Sequence, residues 1–156
     1  MKYKKLAKST KGLSIRWSDN LFPNYRKNMS GPKVSKKRIK RCVKIVELML
    51  DENRNRITKT FYEFAKKKFY NKSVKVEVDI DSAIDAVNNT ILHTDDDALY
   101  GESDGITIWI SSIKMSDEEL VGTILHESLH NICTINNKEM CEKDEHAVMR
   151  QLGDNC

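Results

Sequence analysis

Long apolar runs are missing from this sequence. No stretch approaches the roughly 18 apolar residues that a bilayer-spanning helix needs. The basic start Met1-Lys2-Tyr3-Lys4-Lys5 is not followed by the apolar segment of a secretory leader. An intracellular setting, cytoplasmic or nuclear, with no membrane partner is therefore expected. Cysteine is also scarce. Cys42, Cys133, Cys141 and Cys156 form no CxxC pair and are too few for a secreted disulfide framework. Free thiols in a reducing compartment are expected, with a Cys133–Cys141 bridge as the alternative. Both prolines, Pro23 and Pro32, fall within residues 1–34 beside Gly12 and Gly31, and no sustained periodicity accompanies them. That segment reads as an extended arm. Its Trp17, Leu21, Phe22 and Tyr25 are apolar enough to dock rather than wander.

Acid is nearly absent from the first 44 residues, which hold Asp19 alone against 15 Lys or Arg. Residues 45–156 reverse the balance, with 12 basic and 22 acidic side chains. The net charge of +4 describes neither part. At 156 residues the chain suits one domain with a genuine core. Residues 1–34 are assigned to the arm and 35–156 to the domain.

Within the domain, Ile39, Cys42, Val43, Val46, Met49 and Leu50 recur at helical spacing from Ser35 to about Asn53. Lys36, Lys37, Arg38, Lys40, Arg41 and Lys44 crowd the first turns, where cations oppose the helix dipole. A second helix is expected over 58–70. Val74–Ile80 alternates with period 2 and reads as a strand. A helix capped by Asp81 or Ser82 should then run through Ala83, Ile84, Val87, Ile91 and Leu92. The acids Asp95, Asp96 and Asp97 mark a loop. Ser103-Asp104-Gly105 joins two strands as a hairpin turn. Ser116 with Glu119 forms a capping box for a helix reaching about Cys133. Asn136-Asn137 turns the chain, and a last helix covers 139–152 with Gly153 at its end. The fold class expected is α+β, a small, mainly antiparallel sheet packed on helices.

The fourth of these helices carries His126-Glu127-Ser128-Leu129-His130. Histidines four apart on a helix share one face and can reach one metal ion. Glu127 beside them can take a proton from a metal-activated water. HExxH inside a capped amphipathic helix after a hairpin strand is a zinc motif in its proper context. A catalytic zinc needs a third protein ligand and an open position.

In residues 106–152 the sequence resembles the zincin metallopeptidases. The metzincin variant would place a histidine at position 136, where this chain has Asn136. The gluzincin variant, which takes a glutamate from a following helix, is the closer pattern. Along the last helix Met140, Cys141, Ala147, Val148, Met149 and Leu152 cluster on one side, and Glu145 falls inside that sector. A carboxylate on a buried face needs a partner or a metal, so Glu145 is the expected third ligand. His146 and then Glu142 are the alternatives, and Asp144 is a candidate to orient a ligand histidine. Cys133, seven residues after His126, reads as a packing thiol or as a member of a closed structural site. The resemblance implies a metal held between the last two helices and an edge strand at Ile106–Ile110 beside the cleft, able to pair with an extended peptide. Trp109 lines that cleft or packs. Tyr100, His93 and His146 are candidates to stabilise an oxyanion.

The leading expectation is a zinc-dependent hydrolase cleaving peptide bonds, with Glu127 catalytic and His126, His130 and Glu145 on Zn2+. The alternative is a catalytically silent zincin-like module that binds nucleic acid or another polyanion through residues 1–44. The six residues Lys36-Lys37-Arg38-Ile39-Lys40-Arg41 also fit a nuclear-localisation signal, and the basic segment also reads as a solvated face or an arm that neutralises the acidic domain. Docking of the arm's aromatics across the cleft would make it an inhibitory segment.

Overall fold

The computed structural model describes residues 4–5, 16–17, 20–23, 31–70, 73–93 and 100–156. The side chain of Trp17, Tyr25 and the acidic run 95–97 lie outside the described residues. Among those described, the fold is α+β, with five helices, two three-stranded sheets and a short antiparallel pair, β1 (Lys4–Lys5) with β2 (Arg16–Trp17). No described helix is long and apolar enough to cross a membrane.

Helix α1 (Lys36–Glu52) starts where Ser35 Oγ accepts the Arg38 N–H at 3.3 Å. It buries Ile39, Cys42, Val46, Met49 and Leu50 as its spacing predicts, together with Ile45, while Val43 is only partly buried. Asn53 ends it, with its side-chain amide donating to Met49 O at 2.7 Å, and α2 (Arg54–Phe69) follows at once. The basic first turn of α1 has a partial explanation in Arg38. That side chain is 7% exposed and donates to Pro32 O at 2.8 Å, Lys33 O at 3.3 Å, Met115 O at 2.7 Å and Asp117 Oδ1 at 2.9 Å. It clamps the incoming chain to the helix that later carries the histidines. Residues 31–34 are accordingly fixed: Val34 N–H bonds Ile113 O at 3.0 Å and Met115 N–H bonds Pro32 O at 3.2 Å. Leu21 and Phe22 are buried in the same core, hung from Leu152 O by the Leu21 N–H at 2.8 Å.

Strand β3 (Val76–Val78) leads into α3 (Ile80–Asn88). The cap is Asp79, whose Oδ1 accepts the Ser82 N–H at 3.1 Å, rather than Asp81 or Ser82. The helix also stops earlier than its apolar pattern suggests. Thr90–His93 forms strand β4, parallel to β6 (Ile108–Ser111). Ile91 and Leu92 satisfy a helical stripe and a strand equally, and the β-branched pair Thr90-Ile91 favours the strand. The sheet order is β4-β6-β5, with β5 (Gly101–Ser103) antiparallel to β6. The expected edge strand Ile106–Ile110 is therefore the central one, and β5 is an edge. Between them Asp104 Oδ1 accepts the N–H groups of Ile106 at 2.9 Å and Thr107 at 2.7 Å.

Helix α4 (Asp117–Leu129) begins with the capping box, Ser116 Oγ accepting the Glu119 N–H at 3.1 Å. Every residue from Glu119 to Leu125 is buried, as befits a helix enclosed on all sides. It packs on α1, α3, β5, β6 and α5 (Glu142–Gln151). It ends at Leu129, four residues short of expectation. His130 is already extended at ψ 142°, and Asn131 is left-handed at φ 63°. Cys133 consequently opens strand β7 (Cys133–Ile135), which pairs with β3 and with β8 (Lys138–Glu139). No helical face joins His126, His130 and Cys133. Burial raises the Cys133 thiol to about 11, and all four cysteines are free. Asn136 and Asn137, at φ 48° and 67°, make the two-residue hairpin loop that needs left-handed residues. Gly153, at φ 105°, ends α5 as predicted.

Candidate metal centre

Three of the four histidines in the chain meet where α4 ends and α5 begins. His126 sits in the last turn of α4, His130 caps it, and His146 lies on α5. Their ring centroids are 4.9, 5.0 and 5.0 Å apart. One nitrogen from each falls within 4.8 Å of the others, and the Nε2 atoms of His126 and His130 are 3.2 Å apart.

Carboxylates stand behind two of the rings. Asp154 Oδ2 is 2.5 Å from His126 Nδ1, and Glu145 Oε1 is 3.2 Å from His130 Nδ1. The other Glu145 oxygen accepts the N–H of Asn131, whose left-handed turn presents it. An ionised carboxylate only accepts, so both Nδ1 atoms carry the protons. Both Nε2 lone pairs then face the same small space, an arrangement that a cation between them would satisfy. Burial pushes the Asp154 carboxyl up, but the hydrogen bond and charge of His126 outweigh it and hold the carboxyl below its ordinary value. For His130, burial acts downward and is overcome by Glu145 and Glu127, leaving the ring more basic than usual. His146 is lowered, by burial and then by the two neighbouring imidazoles. Its Nε2 is buried without a hydrogen-bond partner among the described residues.

Glu127 is 8% exposed, with Oε1 4.0 Å from His130 Nε2. Burial raises its carboxyl. His126 and His130 pull it back, while Glu142 and Glu102 push it further up. These groups border a cleft of about 430 Å3 lined by β5, by the end of α4 and by the start of α5.

The structure thus gathers His126, Glu127 and His130 as the motif implies, and separates the remaining candidates. Glu145 is buried, as its helical position requires, but its partners are His130 and Asn131. The group meeting the two motif histidines is His146. Asp144 orients no histidine: it pairs with the Lys68 ammonium and accepts the Cys141 thiol at 3.0 Å. Glu142 stands at the rim, 78% exposed and 3.9 Å from His146 Nε2. His93, Tyr100 and Trp109 are not among the residues lining the cleft. Asp154 carries no periodic signal, since it follows the helix-ending Gly153. His146 had one: a histidine is rare in this chain, and this one lies on the helix already expected to complete the site. No known family, curated protein or solved structure matches the chain.

Proposed function

We propose that the chain is a zinc-dependent hydrolase, zincin-like in chemistry and most simply a peptidase. His126, His130 and His146 are its metal ligands and Glu127 is its proton carrier. The carrying observation is the convergence of three imidazoles beside a buried glutamate. Two nitrogens on a tetrahedral zinc are separated by about 3.3 Å, and His126 and His130 already present 3.2 Å. The unpartnered Nε2 of His146 supplies the third donor. A histidine in that place departs from the gluzincin pattern and leaves Glu145 to hold His130.

When bound, zinc would acidify water and polarise a carbonyl. Asp154 and Glu145 fix the tautomers and orientations of His126 and His130. Glu127 takes the proton of the attacking water and delivers it to the leaving amine. A carboxyl raised by burial suits both halves of that task.

A peptide substrate is supported by β5. Ser111 N–H bonds Tyr100 O and Asp104 N–H bonds Thr107 O. Alternation along the ladder therefore aims the main-chain groups of Gly101 and Ser103 away from β6. Both residues line the cleft, and an extended peptide can pair with them. The test combines metal analysis with cleavage. Zinc should co-purify with the native chain and be lost in His146→Ala but kept in Glu145→Gln. Activity against a broad peptide library should vanish in Glu127→Gln. Zinc bound normally by His146→Ala, or cleavage surviving Glu127→Gln, would sink the reading.

A second reading, polyanion binding, is favoured by the exposure of Lys33, Lys36, Lys37, Lys40 and Lys44 around the start of α1. Salt-dependent affinity for nucleic acid that is lost when these lysines are replaced would support it.

A further inference from the structure

Helix α2 faces the core with Ile57, Phe61 and Ala65. Its outer flank is of a different kind. Among the described residues the large aromatic side chains left exposed are Tyr62 at 45%, Phe69 at 38% and Tyr70 at 87%. Tyr62, Lys66 and Phe69 stand at i, i+4 and i+7, on one face of the helix, and Lys59 precedes them by one turn. Rings and cations therefore alternate along about 15 Å of helix axis.

The charge of α2 is one-sided. The helix carries Arg54, Arg56, Lys59, Lys66, Lys67 and Lys68 against a single acid, Glu63. Arg54 is engaged by Asp51 and Asp81, and Lys68 by Asp144. Glu63 lies 3.9 Å from Lys59 with both side chains exposed, so water and salt weaken that pair. Among the described residues no acid pairs with Lys66 or Lys67. The Lys66 ammonium donates to Val74 O at 3.0 Å and stands 5.4 Å from the centre of the Tyr62 ring. One of its three donors is used, and that bond holds the cation beside the ring.

Tyr70 adds an independent observation. It ends α2 in the left-handed conformation, at φ 50°. Glycine takes that conformation freely and is the ordinary residue at such an end, whereas a bulky side chain there is strained. A ring that is 87% exposed returns little packing to the fold for that strain. Lys68 fastens this end of α2 to Asp144 in the first turn of α5, so the rings stand on a fixed support.

We propose that this flank of α2 binds single-stranded nucleic acid. Tyr62, Phe69 and Tyr70 stack on unpaired bases, and Lys59, Lys66 and Lys67 meet the phosphates. Aromatic faces interleaved with cations suit a strand whose bases are free, and stacking tolerates any base because each has a flat face. A duplex keeps those faces covered and offers only base edges in its grooves. The surface uses none of the lysines at the start of α1 and does not depend on the hydrolase reading.

The full chain is titrated into fluorescein-labelled oligothymidylate and oligouridylate of about 12 nucleotides. A duplex of the same length and vesicles containing phosphatidylserine serve as competitors. At least one single strand should bind more tightly than duplex or vesicles, and which one does so names the nucleic acid. Affinity should fall with salt, with a log–log slope of about −0.7 for each phosphate met, and Lys66→Gln should flatten the slope by about one such step. Tyr62→Ala and Tyr70→Gly should each weaken binding roughly five- to tenfold. Tyr70→Gly relieves the backbone, so its urea midpoint should equal or exceed the native one, which separates lost binding from lost fold. Tyr70→Phe keeps the ring and should bind like the native chain. Absence of binding at low salt, binding unchanged in both Tyr62→Ala and Tyr70→Gly, or duplex bound as tightly as either strand overturns the proposal. So does a loss in Tyr70→Phe as large as that in Tyr70→Gly. Vesicles bound more tightly than the strands, and released by the same variants, overturn it in favour of a membrane contact.

Discussion

Asp154 holds the Nδ1 edge of His126 at 2.5 Å, across 28 residues of sequence, and so fixes which nitrogen of that ring faces the cleft. Asp154→Asn removes the charge and the obligate acceptor while keeping the shape. Zinc affinity should fall by about 10- to 100-fold, measured by competition with a chelator of known affinity. The far-ultraviolet circular dichroism should not change. Undiminished affinity would reduce Asp154 to a structural role.

Glu127 is buried beside two histidines and touches neither ring at hydrogen-bond distance. Glu127→Gln should therefore keep its zinc and lose about 100-fold or more of any peptide-cleaving rate. Zinc content and turnover, measured on the same preparation, separate a proton carrier from a ligand. Loss of zinc in this variant would contradict the assignment.

Arg38 joins three carbonyls and one carboxylate, from segment 32–33 and from the start of α4. Arg38→Ala leaves the buried Met115 carbonyl without this donor and removes the partly buried bonds to Pro32, Lys33 and Asp117. A loss of about 3 kcal/mol of stability is expected, read from urea unfolding. The equivalent change at the exposed Lys37 should cost less than about 0.5 kcal/mol.

Asp79 caps α3, and its hydrogen bonds from Ser82 hold the carboxyl below its ordinary value of 3.8. Between the folded value and 3.8 the unfolded chain takes up a proton that the folded chain refuses, so acid favours unfolding there. The stabilisation is complete above 3.8 and disappears as pH falls through the folded value. Asp79→Ala should cost about 1 kcal/mol at pH 7, with the gap to the native chain closing in that acidic window. A gap that persists below it would mean the cap does not act through its charge.

Local rules read much of this fold directly. Ser35, Ser116 and Gly153 each announce an element boundary through their own side chain or backbone preference, and those boundaries appear where expected, whereas Asn136-Asn137 turns the chain between two short strands rather than between helices, so that α5 starts at Glu142 and not at 139. The failures occur where two periods fit the same residues, as at Ile91 and Leu92, or where a tertiary contact ends an element. Helix α4 stops at Leu129 because Asn131 turns to give its N–H to Glu145, fourteen residues on. At the site, HExxH located two imidazoles and the glutamate. The burial of Glu145 was also legible, since its helical face demands a partner. Which partner it takes depends on how α4 and α5 pack, and helical periodicity carries no information about that. The neighbouring residue, His146, reaches the cleft for the same reason.

The backbone of Leu152 anchors Leu21 and Phe22, and two residues later the same turn delivers Asp154 to His126. Gly153 between them leaves no room for slack: a Cβ there would stand 2.3 Å from Asn20. On the proposed zinc reading, anchorage of segment 20–23 and the hold of Asp154 on His126 are coupled through this turn, and such coupling is reciprocal. A partner that peels this segment away would act as a release handle for zinc. Zinc depletion, by the same factor, would loosen the segment and offer it to that partner.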